Sequence, residues 1–343
     1  MKVQVHKMEQ IILDNVVKEY IVAKKKKGML GAIINLFHSE KVKVEAVKGI
    51  NCTIQKGEIV GYIGPNGAGK STTIKMMSGI MYPTSGNILI NGISPQKKRK
   101  EVVKSLGVVF GQRTQLYWDL RLGETFELLK RIYKLPDEQY ERTLKELSTV
   151  LGLDEFMDIP VRQLSLGQRM RGELAAAMIH EPDILFLDEP TIGLDIDAKQ
   201  AVRDFILEMN RRKKTTVILT SHDLDDVMKL CTRLIVINKG VIVEDGPIDE
   251  IISRMATYRM LVLEVAEPLE KIACDKVEIM KMEGRKVWCK FDHHTYTATE
   301  IIHELGKEMK ILDLSVREPD VEDAISNIYH NDLNINSSGN LTS

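Results

Sequence analysis

Gly64-Pro65-Asn66-Gly67-Ala68-Gly69-Lys70-Ser71-Thr72 sets glycines, a lysine and two hydroxyls in the spacing G-x-x-x-x-G-K-[ST]. Each residue type has a physical reason to be there. Glycine tolerates positive φ, so successive backbone N–H groups can turn into one anion nest. A helix opening at Lys70 would add the positive end of its dipole. Lys70 then reaches the β- and γ-phosphates of a nucleotide, and Ser71 offers a hydroxyl to Mg²⁺. The backbone from Gly64 to Thr72 is therefore the expected phosphate cradle. A second acidic group belongs with it. Ile184-Leu185-Phe186-Leu187-Asp188-Glu189 is an apolar run ending in two carboxylates. At the C-terminal end of a buried strand, Asp188 is suited to hold Mg²⁺, and Glu189 to polarise an attacking water as general base.

These groups work only if strands and helices bring them together. Residues 58–63 read as a short buried strand before the glycine loop, and 70–79 as the helix after it. Residues 183–187 and 216–220 are further apolar strands, and 234–237 with 241–244 a hairpin across Asn238-Lys239-Gly240. Strands alternating with helices predict an α/β fold with a mostly parallel, covered sheet. Residues 8–20 read as a strand containing a turn, 42–54 as another strand, and 87–90 as a third. The stretch from about 114 to 160 is mainly helical.

Composition bounds the rest. The 343 residues are 43% apolar and 28% charged with a formal net charge of −1. That suits a globular chain of one large and one small domain, and supplies no global field for nucleic acid. No apolar run approaches the ~20 residues of a membrane span, and the N-terminus shows no signal-peptide pattern. Cys52, Cys231, Cys274 and Cys289 have no metal-ligand spacing and read as reduced, buried thiols.

Beyond the phosphate loop, residues 9–250 resemble the ABC ATPase family. Leu164-Ser165-Leu166-Gly167-Gln168 is similar to the ABC signature, Val109-Phe110-Gly111-Gln112 to the glutamine loop, Gly193-Leu194-Asp195 to the D-loop, and Thr220-Ser221-His222-Asp223 to the segment carrying the switch histidine. The resemblance implies a P-loop NTPase of ABC type, a RecA-like sheet core with a helical subdomain at about 114–180. It implies ATP and Mg²⁺ as cofactors. Gln112 would touch metal and attacking water, His222 would sit by the γ-phosphate, and Tyr20 would stack on adenine. Ser165, Gly167, Gln168 and Asp195 would close over the nucleotide of a second copy, or of a paralogous ATPase, packed head to tail. Ser165 is expected to cap a helix starting near Gln168. The family usually has glycine where this chain has Leu166, which touches the fine geometry of the signature.

Gly111 to Gln115, Leu164 to Arg171 and a C-terminal unit of about 80 residues resemble a narrower branch, the ATPase subunits of sodium-efflux and drug-exporter-like systems with separate six-helix permeases. This implies an ATPase at the cytoplasmic face of the membrane, held there by integral permease subunits, with no nucleic-acid partner. A soluble ABC ATPase acting on ribosome or DNA is the alternative, but such chains carry two cassettes or long coiled coils, unlike this one. Glu189 and His222 disfavour a non-hydrolysing regulator. The ATPase domain is expected to span 1–254. Within it lies a basic insertion at about 21–45, with Lys24 to Lys27 ahead of an apolar-faced helix that suits a membrane surface, a partner groove or packing on the sheet. Residues 255–330 read as a small α+β unit of ferredoxin-like pattern with a closing helix at 320–329. His293-His294 lacks a third ligand and reads as a solvated turn. Residues 331–343 read as a disordered tail.

Overall fold

The computed structural model describes residues 9–23, 41–111, 114–221, 223–255, 258–269, 272 and 274–317. The basic run Lys24–Lys27 with most of its insertion, Gln112, His222, the helix expected at 320–329 and the tail at 331–343 lie outside the described residues. The chain divides into two compact units after Pro247. Against the expected domain span of 1–254, the division falls ahead of the helix Ile248–Met255, which lies in the second unit.

The first unit has two sheets. One is a three-stranded antiparallel sheet, β2-β1-β4, built from β1 (Glu9–Ala23), β2 (Lys41–Gln55) and β4 (Ser85–Ile90). The turn expected within 8–20 is instead a bulge. The register shifts between Leu13 and Val16, where Asn15 takes φ 47° and the strand bends without ending. The other sheet runs β5-β6-β7-β3-β8-β9, from β3 (Ile59–Ile63), β5 (Leu106–Phe110), β6 (Ile184–Asp188), β7 (Thr216–Thr220), β8 (Arg233–Asn238) and β9 (Val241–Pro247). Every pair is parallel except β8 with β9, the hairpin expected from the sequence. β3 and β7 are buried along their whole length, which explains why they are unbroken apolar runs rather than alternating ones.

The described helices of this unit are α1 (Lys70–Met77), α2 (Arg99–Val103), α3 (Leu122–Tyr133), α4 (Asp137–Leu151), α5 (Leu166–Met178), α6 (Ile196–Lys213) and α7 (Leu224–Leu230), with α3 and α4 packed on other helices. The stretch expected to be mainly helical, about 114–160, holds α3 and α4, and α5 follows it. The core joins both sheets through residues such as Ile11, Ile54, Ile88, Ile74, Phe186 and Ile218. Cys52, Cys231 and Cys289 are buried free thiols, and Cys274 is half-buried.

The second unit contains α8 (Ile248–Met255) and a four-stranded antiparallel sheet, β11-β12-β10-β13, with α9 (Ala298–Glu308). The strands are β10 (Tyr258–Val265), β11 (Glu278–Glu283), β12 (Lys286–Asp292) and β13 (Ile311–Arg317). In chain order this is 2-3-1-4, the strand arrangement of the ferredoxin-like split βαβ motif. Leu261, Leu263, Val287, Cys289 and Phe291 form its core with Ile301 and Leu305 of α9. The His293-His294 turn is organised by Asp292, whose carboxylate accepts from His294 N–H and Thr295 Oγ1. Among the described residues no helix is long and apolar enough to cross a membrane.

Candidate functional site

The phosphate loop links the buried strand β3 to α1, the local arrangement its sequence demands. Two glycines are forced by close approach. A Cβ on Gly64 would stand 2.1 Å from Ile237 O, and one on Gly69, at φ 112°, would stand 2.6 Å from Ala46 O. No side chain fits either place, so the loop backbone itself lines the site. Lys70 is buried and its ammonium donates to Gly64 O and Pro65 O. Burial pushes its pKa below the ordinary value, while Glu189 and Asp188 pull the other way. Thr73 Oγ1 ties the first turn of α1 back to Gly69 O at 3.0 Å.

The two carboxylates stand at the end of β6, as expected. Thr220 Oγ1, at the end of the neighbouring β7, donates to Asp188 Oδ1 at 2.6 Å. Glu189 leaves the strand with φ 57°, a conformation uncommon outside glycine, and its N–H bonds Thr220 O at 3.0 Å. Gly111 N donates to Asp188 O at 2.7 Å, and a Cβ at Gly111 would meet Glu189 O at 2.6 Å. The segment leading to Gln112 thus lies directly on the acidic pair. Asn66, Ser71, Gly111, Asp188 and Glu189 line one cavity of about 370 Å³. A second hollow is lined by Pro65, Gly67, Gly69, Lys70, Thr72 and again Glu189. An anion nest, an ammonium, and hydroxyl and carboxylate oxygens on one cavity fit a phosphate chain with a hard cation such as Mg²⁺.

Ser165, Gly167 and Asp195 line neither hollow. Helix α5 starts at Leu166, two residues before Gln168, with Ser165 as its cap as expected. Ser165 Oγ accepts from Gln168 N–H at 3.2 Å while Gln168 Oε1 accepts from Ser165 N–H at 2.9 Å. This is a reciprocal capping box, in which the glutamine is the third helical residue rather than the first. Asp195 caps α6 by a single bond, accepting from Ala198 N–H at 2.8 Å. The two helix starts touch: a Cβ on Gly167 would be 3.1 Å from Ala198 Cβ, and one on Gly193 would be 3.1 Å from Leu166 Cδ2. Leu166 therefore lies over the D-loop of its own chain. Leu166, Ile192 and Ile196 leave apolar surface exposed on this face, Ile196 by 85%.

Tyr20 is half-buried on β1 opposite Val44, its hydroxyl on Met81 Sδ at 3.1 Å and the Lys18 ammonium 5.5 Å from its ring. It lines neither phosphate hollow.

Two clusters escaped the sequence reading. Glu173 of α5 is buried and receives Thr114 Oγ1 and Gln115 N–H, while Gln115 Nε2 donates to Glu173 O. Burial raises its carboxyl pKa, and the bonds from Thr114 and Gln115 pull it back. Asp226 of α7, fully buried, receives Thr191 Oγ1 and Arg203 Nε, and Lys199 pairs with Asp223. The only sequence signal for either was a charged residue on an otherwise apolar helix face.

Comparison with known proteins fits this geometry. A family model described as ABC transporter matches residues 47–192. The ABC transporter ATP-binding protein NatA of Bacillus subtilis is 35% identical over 215 residues, 63% of this chain and 87% of that protein. The linearmycin resistance ATP-binding protein LnrL of the same organism is 30% identical over 295 residues, 83% of this chain and 94% of that protein. Among solved structures, an ATP-binding subunit of an ABC transporter superposes with a TM-score of 0.60 at 25% identity, over 71% of this chain and 92% of that one. A dimeric ATP-binding cassette in a post-hydrolysis state with ADP and phosphate superposes with a TM-score of 0.58 at 26% identity, over 69% and 98%. The chain belongs to the ABC transporter ATP-binding proteins and is an ATPase of that family.

Proposed function

We propose that this ABC ATP-binding subunit hydrolyses ATP in head-to-tail pairs and thereby drives separate membrane permeases, as the energy source of an exporter. One observation carries the paired reading. Asp188, Glu189 and the phosphate loop share one cavity, whereas Ser165, Gly167 and Asp195 lie together on another face with exposed apolar neighbours. A nucleotide cradled by one copy is completed by the signature of the other.

In this reading Lys70 leaves the carbonyls of Gly64 and Pro65 for the β- and γ-phosphates. Ser71 and Asp188 would hold Mg²⁺, which would neutralise charge developing on the phosphate oxygens. Glu189 takes the proton of the attacking water. Its left-handed backbone, pinned through its N–H to Thr220 O, holds the carboxylate on the cavity. Gln112 and His222 take the metal-and-water and γ-phosphate roles that the family resemblance gives them. Tyr20 supplies the adenine face, with its hydroxyl anchored on Met81.

The exporter reading is supported by LnrL, whose name records a resistance function and whose match of 295 residues is longer than the 247 residues ahead of the division. The permeases would hold the subunit at the cytoplasmic face of the membrane. The decisive experiment is Glu189→Gln in the full chain. ATP binding is retained, turnover falls about 10²–10⁴-fold, and ATP traps a dimer. Near-normal turnover removes Glu189 from the base role, and absence of an ATP-dependent dimer removes the head-to-tail pair.

A further inference from the structure

β13 closes one side of the second unit's sheet. It is bonded to β10 alone among the described strands, and every residue from Leu312 to Arg317 is exposed. An exposed edge of this length is a template for another strand. Its core-facing side chains are apolar rather than charged. Leu314 and Val316 stand opposite Leu263 and Leu261 of β10, hence on the core-facing side, yet they remain 39% and 42% exposed where those partners are at 0%. Asp313, Ser315 and Arg317 alternate with them on the other face.

The order Asp313-Leu314-Ser315-Val316-Arg317 is complementary to itself when reversed. Set antiparallel about Ser315, Asp313 faces Arg317, Leu314 faces Val316, and Ser315 faces its own mate. The ion pair and the apolar pair then each form twice, with no charge left opposite its like. We propose that β13 pairs with β13 of a second copy about a two-fold axis at Ser315, joining the two C-terminal units in one continuous sheet. This names the partner of the paired ATPase as a second copy of the same chain rather than a paralogue, and in that respect rests on the paired reading above. A strand edge is a small interface, so the contact is weak and concentration-dependent. Its work is to tether: it keeps two ATPase units at high mutual concentration before nucleotide arrives. The contact itself requires no ATP.

The test uses the full-length protein without nucleotide, in sedimentation velocity over a range of concentrations. The unaltered protein shows concentration-dependent dimer. Asp313→Arg and Arg317→Asp, each alone, set like charges face to face twice and raise the dissociation constant about tenfold or more. The double variant Asp313→Arg with Arg317→Asp restores the pairs and returns association to within a few-fold of the original, which a merely unfolded unit cannot do. Ser315→Cys gives a covalent dimer under mild oxidation, above the background of the native cysteines. A protein that stays monomeric without nucleotide and yields no crosslink, as when its own C-terminal segment covers the edge, overturns the proposal. So does a dimer indifferent to both single reversals. Each result is separable from the ATP sandwich, since Glu189→Gln reports that contact only when ATP is added.

Discussion

Thr220 Oγ1 donates to Asp188 Oδ1 across 2.6 Å, from the last residue of one central strand to the last residue of its neighbour. The bond fixes one carboxylate oxygen and leaves the other for the cavity. It also explains why a threonine closes an otherwise aliphatic strand. Thr220→Val keeps the shape and removes the donor. We expect a loss of apparent Mg²⁺ affinity of about tenfold or more in ATPase assays, about the worth of one hydrogen bond to a charged group. An unchanged Mg²⁺ dependence would sever Thr220 from the metal site.

Lys70 already occupies the loop as its internal donor, bonded to Gly64 O and Pro65 O. Lys70→Ala should therefore weaken ATP binding about tenfold or more, read by titration of a fluorescent nucleotide. Equal affinity in the variant would refute the phosphate-loop assignment.

Glu173 bolts the segment after Gln112 to the helix that begins at Leu166. Glu173→Ala strands the donors of Thr114 and Gln115, and we expect about 1–3 kcal/mol lower stability. Nucleotide affinity should stay near normal while ATP-driven dimerisation, measured in the Glu189→Gln background, is lost. Glu173→Gln keeps one acceptor and should recover part of it. Loss of nucleotide binding in step with dimerisation would reduce Glu173 to a packing residue.

His180 gives a pH signature. Its Nε2–H donates to Leu106 O at 3.0 Å, Nδ1 has no hydrogen-bond partner among the described residues, and its ring stacks on Tyr133 at 4.0 Å. Burial lowers its pKa from 6.5 to about 4. A histidine held neutral in the fold gives stability that is complete above the unfolded value and declines as pH falls from about 6.5 toward 4, because only the unfolded chain takes up the proton. The loss is on the order of 3 kcal/mol. His180→Phe preserves the stack and should flatten this window in denaturant titrations at pH 7, 5.5 and 4. An unaltered slope would place the acid sensitivity elsewhere.

The phosphate loop was legible from the chain because its parts are contiguous. Strand, glycines, Lys70 and helix follow within one turn of sequence, and local backbone demands choose every residue. The acidic pair, the capping of α5 by Ser165 and the order of strands and helices were legible for the same reason, since each rests on spacing or periodicity. The tertiary structure decided what depends on residues far apart. Thr220 reaches Asp188 over 32 positions and Thr114 reaches Glu173 over 59, because parallel strands and packed helices bring together points that the chain visits at different times. Leu166, which spacing could only mark as a departure, proves to lie on Gly193. The edge position of β13 likewise follows from the 2-3-1-4 strand order, which no single segment encodes. Local chemistry is written in neighbouring residues. Which oxygen is held, which helix is bonded to which loop and which of the described strands is left with an open edge are set by packing, where distance along the chain no longer counts.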